Sequence, residues 1–303
     1  MTRYLRHGAA LAIVAAVTMA AAATPEVTPP AGKDSVLFLA IGDSGTGDRP
    51  QLEVAGQIVR AHAMFPFTFA IMMGDNLYGS EKASDYAEKF ERPYKPLLDA
   101  KVEFYASLGN HDETNQRMYK PFNMNGERYY TFKKGNARFF ALDSNYFDQK
   151  QADWLDKALA DAGEDWKICF FHHPIYSSGG RHGSELDLRA QLEPLLLKHG
   201  VQVVFAGHEH FYERLKPQKG IYHFVNGGGA KLRRGDIRKT AMTAKGYDAD
   251  RSFMLVEIDG DVLRFQTLSR TGAKVDQGEI RRSTAPTPAE LKQTAAQSPS
   301  SRN

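Results

Sequence analysis

Val36-Leu37-Phe38-Leu39-Ala40-Ile41-Gly42-Asp43-Ser44 is the stretch that decides the fold. A short, unbroken apolar run bounded by polar turns suits a strand buried on both faces. The device recurs along the chain. Residues 67–73 run into Gly74-Asp75-Asn76-Leu77-Tyr78, and residues 102–108 into Gly109-Asn110-His111-Asp112. Residues 168–171 run into His172-His173-Pro174, and residues 201–206 into Gly207-His208-Glu209-His210.

Helical patterns alternate with these runs. Asp48 can cap a helix with Pro50 in its first turn and Leu52, Ala55, Ile58 and Val59 on one face. Tyr86, Phe90 and Leu97 suggest a second helix, disturbed at Pro93 and Pro96. Residues 128–132 and 137–143 flank Lys133-Lys134-Gly135-Asn136 as a hairpin. Trp154, Leu155, Ala158 and Leu159 mark a further helix. Ser184 with Asp187 opens another, through Leu188, Leu192, Leu195 and Leu196 to a stop at Gly200. A strand is expected over 221–225, and an antiparallel hairpin over 253–258 and 262–268. The expected class is α/β, with mixed sheets and helices outside them.

Outside this core the chain changes character. Arg3, Arg6 and His7 precede an uncharged apolar run from Ala9 to Ala23 that ends on Ala21-Ala22-Ala23. It reads as a cleavable export signal over residues 1–23, and implies a periplasmic or secreted protein. The run is shorter than the ~20 residues a membrane span needs. Removing Arg3 and Arg6 from the 39 basic residues leaves 37 against 36 acidic ones, so no nucleic acid and no acidic membrane is expected as partner. Residues 24–33 read as a flexible lead-in, 34–282 as one domain, and the polar stretch 283–303 as a disordered tail. Cys169, the only cysteine, lies in an apolar run and reads as a buried, inert thiol.

Every polar cluster falls at the carboxyl end of a strand, where α/β sheets gather functional groups. Two Asp, a Tyr, an Asn and several His form the ligand inventory of a two-metal site, and such sites hydrolyse phosphate esters. Six of the ten histidines (His111, His172, His173, His182, His208 and His210) lie in or near the clusters. In extended chain His208 and His210 point the same way. Gly227-Gly228-Gly229 either lets backbone approach the metals or turns the chain, and Arg233, Arg234, Arg238 and Lys239 read as a solvated loop. Gly42-Asp43-Ser44-Gly45 also occurs in serine proteases, but its Asp-rich and His-rich company argues against Ser44 as a nucleophile.

As a set these motifs resemble the calcineurin-like metallophosphoesterases. Tyr78 narrows the resemblance to the small, single-domain purple acid phosphatases of the tartrate-resistant type, over roughly residues 36–281. The resemblance implies an αββα sandwich: two packed mixed β-sheets flanked by helices. It implies that Asp43, Tyr78 and His210 hold Fe(III), that Asp75 bridges, and that Asn110, His172 and His208 hold a divalent Fe, Zn or Mn. His111 and His182 would be catalytic, near the leaving group, and His173 would support its neighbours or be structural. The implied activity is hydrolysis of small phosphate monoesters by attack of a metal-bound hydroxide. A phosphodiesterase or nucleotide hydrolase on the same scaffold, and a metal- or phosphate-binding protein without turnover, are the alternatives. The single cysteine departs from the internal disulfide of the animal members, and the stretch before Asp43 is too short for the extra β domain of the large plant type.

Overall fold

The computed structural model describes residues 23–163, 165–238 and 240–282. The expected export segment, apart from Ala23, and the expected tail at 283–303 lie outside the described residues. Strand β1 (Val36–Ile41) leads through α1 (Arg49–His62) to β2 (Phe69–Met73). The short helices α2 (Ala83–Tyr86) and α3 (Lys95–Asp99) then lead to β3 (Glu103–Ser107). The hairpin β4 (Tyr130–Lys134) and β5 (Ala137–Ala141) is followed by α4 (Gln149–Ala160), β6 (Trp166–Phe171), α5 (Leu186–Lys198) and β7 (Val203–Ala206). Strands β8 (Tyr212–Leu215), β9 (Tyr222–Asn226) and β10 (Thr243–Tyr247) come next. Strands β11 (Ser252–Asp259), β12 (Val262–Ser269) and β13 (Lys274–Arg281) complete the fold.

One sheet has the order β13-β12-β11-β1-β2-β3, the other β10-β8-β9-β7-β6-β5-β4. Both are mixed: β1, β2 and β3 run parallel, as do β5, β6, β7 and β9, while β11 closes antiparallel onto β1. The period of two along each strand sorts the apolar runs into layers. Phe38, Ala40, Phe69 and Ile71 of the first sheet pack against Phe139, Ile168, Phe170 and Phe205 of the second. Leu39, Ile41, Ala70 and Met72 face outward onto Val54, Ala55 and Ile58 of α1. On the far side Phe140, Cys169 and Val204 meet Leu155 and Leu159 of α4 and Leu192 and Leu196 of α5. The result is the αββα sandwich, and it explains why the strands are apolar throughout rather than alternating. Cys169 is buried and unpaired, and burial pushes its thiol pKa up, as an inert thiol requires.

Several local expectations change. Asp48 does cap α1, accepting the Gln51 N–H, but the buried face is Val54, Ala55, Ile58 and Ala61, while Leu52 is 42% exposed. The face is rotated because Gln51 and Gln57 are buried on it with hydrogen-bond partners: Gln51 accepts from Gly47 N (2.6 Å) and Gln57 donates to Ala23 O (3.3 Å). Ser184 does not cap α5. Its hydroxyl accepts the Ser177 N–H (3.0 Å) and donates to Ser177 O (3.2 Å), which closes the loop carrying His182. The second helical pattern breaks into α2, one π-helical turn over Ala87–Glu91, and α3. Residues 24–33 are not a free lead-in: Thr28 N–H donates to Gln266 (2.8 Å), and Ala31 and Gly32 N–H donate to Glu257. No helix among the described residues is long and apolar enough to cross a membrane.

Phe38 sits where the sheets meet, stacked on Phe69 (centroids 5.3 Å apart) and edge-on to Phe139 (5.2 Å) and Phe205 (5.9 Å). Phe38→Ala is expected to destabilise the fold by about 3–5 kcal/mol. Chemical denaturation of both proteins checks this, and a loss under about 1 kcal/mol would mean that the sheets close over the gap.

Candidate metal centre

Parallel strands place all the predicted ligands at one edge of the sandwich. Asp43 follows β1, Asp75 and Tyr78 follow β2, and Asn110 and His111 follow β3. His172 and His173 follow β6, and His208 and His210 follow β7, so the two sheets face each other across the site with their carboxyl ends.

Around the first position, Asp43, Asp75 and His210 each bring a ligand atom within 4.8 Å of the others. The Tyr78 hydroxyl donates to Asp43 Oδ1 (3.0 Å) and lies 3.4 Å from His210 Nε2. Around the second, His172 Nε2 stands 2.9 Å from Asn110 Oδ1, 3.1 Å from His208 Nδ1 and 3.4 Å from Asp75 Oδ1. Asp75 is thus the member common to both groups. The His172 Nδ1 lies 2.9 Å from Met73 O, so its N–H points to that carbonyl and Nε2 is left bare toward Asn110 and Asp75. His173 joins this group, with ligand atoms also within 4.8 Å of those of His172 and His208, and its Nδ1 is tied to Ser144 Oγ (2.9 Å).

The electrostatics suit a cation. Asp43 and Asp75 are buried side by side, and burial and then the Asp75 charge hold the Asp43 carboxyl well above its usual range. Burial, followed by Asp43 and Asp75, drives the Tyr78 phenol upward as well. Burial lowers His172, takes His208 to about 2 and takes His210 to about 4, leaving neutral imidazoles, the form that ligates. Hard oxygen donors and neutral nitrogens around two adjacent carboxylates are a donor set that fits metal ions.

His111 is exposed, stacks obliquely on the Tyr78 ring (centroids 4.9 Å) and donates its backbone N–H to Asp75 Oδ1 (2.9 Å). His182, also exposed, lies over the His208 ring at 4.3 Å. Both therefore border the ligand groups, one on each side. Of the basic loop, Arg233 does reach the site: its Nη2 stands 3.4 Å from His210 Nδ1 and its backbone N–H donates to His210 O (2.9 Å). The Lys231 ammonium lies 4.3 Å over the Tyr78 ring.

Asp112 and Glu209 hold the loops that carry these side chains. The half-buried Asp112 carboxylate accepts from Gly109 N (2.8 Å), Leu77 N (3.0 Å), Asn76 N (3.1 Å) and Gln116 Nε2 (2.6 Å). It ties the loop after β2 to the loop after β3. Burial and then the charge of Asp75 push its pKa to about 8. Glu209, fully buried between His208 and His210, accepts the Gly183 N–H (2.6 Å) and so holds the His182 loop; burial first raises its pKa to about 7. The one sequence signal for either was an acidic residue inside a strand-end motif. Gly227 belongs here as well. A Cβ there would come within 2.6 Å of Asp43 Oδ2, so the glycine run permits close backbone approach.

The model of the calcineurin-like phosphoesterase family matches residues 36–212. The chain belongs to that family. It is similar to purple acid phosphatase 17 of Arabidopsis thaliana, 26% identical over 72% of this chain and 75% of that one. It is also similar to tartrate-resistant acid phosphatase type 5 of Oryctolagus cuniculus, 28% identical over 63% and 72%. Among solved structures, GAP50, the anchor in the inner membrane complex of Plasmodium, superposes with a TM-score of 0.73 at 20% identity, over 88% of this chain and 96% of that one. That last likeness shows the fold alone.

Asp112→Asn keeps the size of the side chain but places an amide N–H₂ where the backbone donors point. Metal affinity should fall about 10–100-fold, as for other groups that orient ligands. Titration of the metal-free protein reads this directly, and unchanged affinity would show that the two loops hold their positions without Asp112.

Proposed function

We propose that this protein is an exported acid phosphatase of the purple acid phosphatase type, acting on small phosphate monoesters. Asp43, Tyr78 and His210 would hold Fe(III), Asn110, His172 and His208 a divalent Fe, Zn or Mn, and Asp75 would serve both. The single observation that carries this reading is the placement of the Tyr78 hydroxyl on Asp43, beside His210 and Asp75. A phenol in that position is a hard oxygen donor, suited to a hard ferric ion. When bound, the ions supply Lewis-acid polarisation of the phosphoryl group and activation of water.

The chain's own groups do the rest. Lys231 and Arg233 put positive charge beside Tyr78 and His210, where an anionic phosphoryl group would be drawn in. The buried His172, fixed through Met73 O, keeps its Nε2 aimed and neutral. His111, open to solvent at the rim, is placed to give a proton to the departing alkoxide. His182, held over His208 by the loop that Glu209 anchors, is the second candidate for that task.

Hydrolysis of a monoester and a diester, side by side with metal analysis, tests the reading. We expect turnover of the monoester to dominate, and a preference for the diester would move the protein to the phosphodiesterase alternative. Metal-loaded protein that hydrolyses neither would leave a binding protein. Phenolate on Fe(III) gives a visible charge-transfer band, so the iron-loaded protein should be coloured and Tyr78→Phe should lose the band. A band that survives the substitution removes Tyr78 from the ligand set. His111→Ala should lower turnover of alkyl esters by about 10²–10⁴-fold, and that of nitrophenyl esters less, because an activated leaving group needs little protonation. Equal defects would assign His111 to substrate positioning.

A further inference from the structure

A groove of about 420 Å³ opens beside the ligand groups. Asn110 and His173 line it, and Asp112, Asp143, Tyr146 and Glu185 are among its other walls. Two residues of the candidate centre are therefore walls of the groove, and whatever is bonded to a phosphoryl group at the centre can extend into it.

Its character is opposite to that of the other rim. Lys231 and Arg233 stand on the Tyr78 and His210 side. On the groove side Arg128 stands 6.0 Å over the Tyr146 ring. It is already held by Asp143 (2.9 Å) and Asp148 (3.7 Å). The Glu185 carboxylate has no hydrogen bond and no ion pair among the described residues, since its hydrogen bonds are made through its backbone. Tyr146 is 66% exposed, so much of its ring is open to solvent in the groove wall even with Arg128 near it. A solvent-exposed aromatic ring and an unpaired carboxylate in one mainly polar, acidic groove, which Asp112 and Asp143 also line, are the elements that recognise an ammonium group.

We propose that this groove receives the alcohol portion of the ester and selects alcohols that carry an ammonium group, so that the preferred substrates are phosphate monoesters of amino alcohols. The proposal rests on the phosphatase reading for the place of the phosphoryl group. The cleft is then polar end to end: phosphate toward Lys231 and Arg233, ammonium toward Glu185 and Tyr146. An ester with an anionic alcohol portion would meet Glu185 and be disfavoured.

The test uses the metal-loaded protein and three esters: phosphocholine, glycerol 2-phosphate and 3-phosphoglycerate. Calorimetric titration reads binding and initial rates read kcat/KM. Both should fall in the order given, with about tenfold between the first and the last, the effect of one like charge turned to an opposite one at a part-exposed site. Glu185→Lys should reverse the order, and Tyr146→Ala should narrow it. Equal binding of the three esters, tighter binding of 3-phosphoglycerate, or an order untouched by Glu185→Lys overturns the groove assignment, whatever the turnover. Selective binding of phosphocholine without hydrolysis of any ester would uphold the groove and overturn the phosphatase reading instead.

Discussion

Two carboxylates, Asp43 and Asp75, are buried beside each other, and among the described residues no lysine or arginine pairs with either. The rest of the site follows from that constraint. Burial first, and then the repulsion between these carboxylates, raises Asp43 and Tyr78, and positive charge placed at the site relieves both. The backbone is bent to keep them there. Asp43 (φ 55°), Asp75 (φ 50°) and His208 (φ 68°) all lie in the left-handed region. Each such residue costs of order 1–3 kcal/mol, and persists because the surrounding structure over-determines it.

What over-determines it is the sandwich. The parallel strands of both sheets end at one edge, and their loops approach until side chains no longer fit between them. A Cβ on Gly109 would lie 2.2 Å from Asp75 Oδ1, and one on Gly207 would lie 2.6 Å from Asp43 Oδ2. Hydrogen bonds then lock the loops together: Gly42 N–H to Asn226 O (3.1 Å), Asp43 N–H to Gly74 O (3.0 Å), and His208 N–H to Asp43 Oδ2 (2.8 Å). The aromatic seam around Phe38 fixes the separation of the sheets, and with it the reach from His172 to Asp75.

Much of this was legible in the chain. Strands buried on both faces are written as unbroken apolar runs, so β1, β2, β3, β6 and β7 could be read, together with the ligand types at their ends. The strands β8, β10 and β13 could not. Lys274–Arg281 is largely polar and half-open to solvent, and it is a strand because β12 offers it a paired edge. The rotated face of α1 was hidden for a related reason: glutamines with buried partners replace apolar residues, and periodicity sees only the latter. Asp112 and Glu209 were invisible as organisers because their partners are backbone N–H groups from distant loops, which leave no mark on the local sequence. The groove beside Asn110 likewise joins residues from separate loops, and no single motif announces it.

The central claim is that one carboxylate, Asp75, is shared by two ion sites. Metal stoichiometry by mass spectrometry of the intact holoprotein, with Asp75→Asn beside it, tests this most directly. The account expects two ions per chain in the wild type and loss of both in the variant, because an amide bridges poorly. Retention of either ion at full occupancy in Asp75→Asn would contradict it.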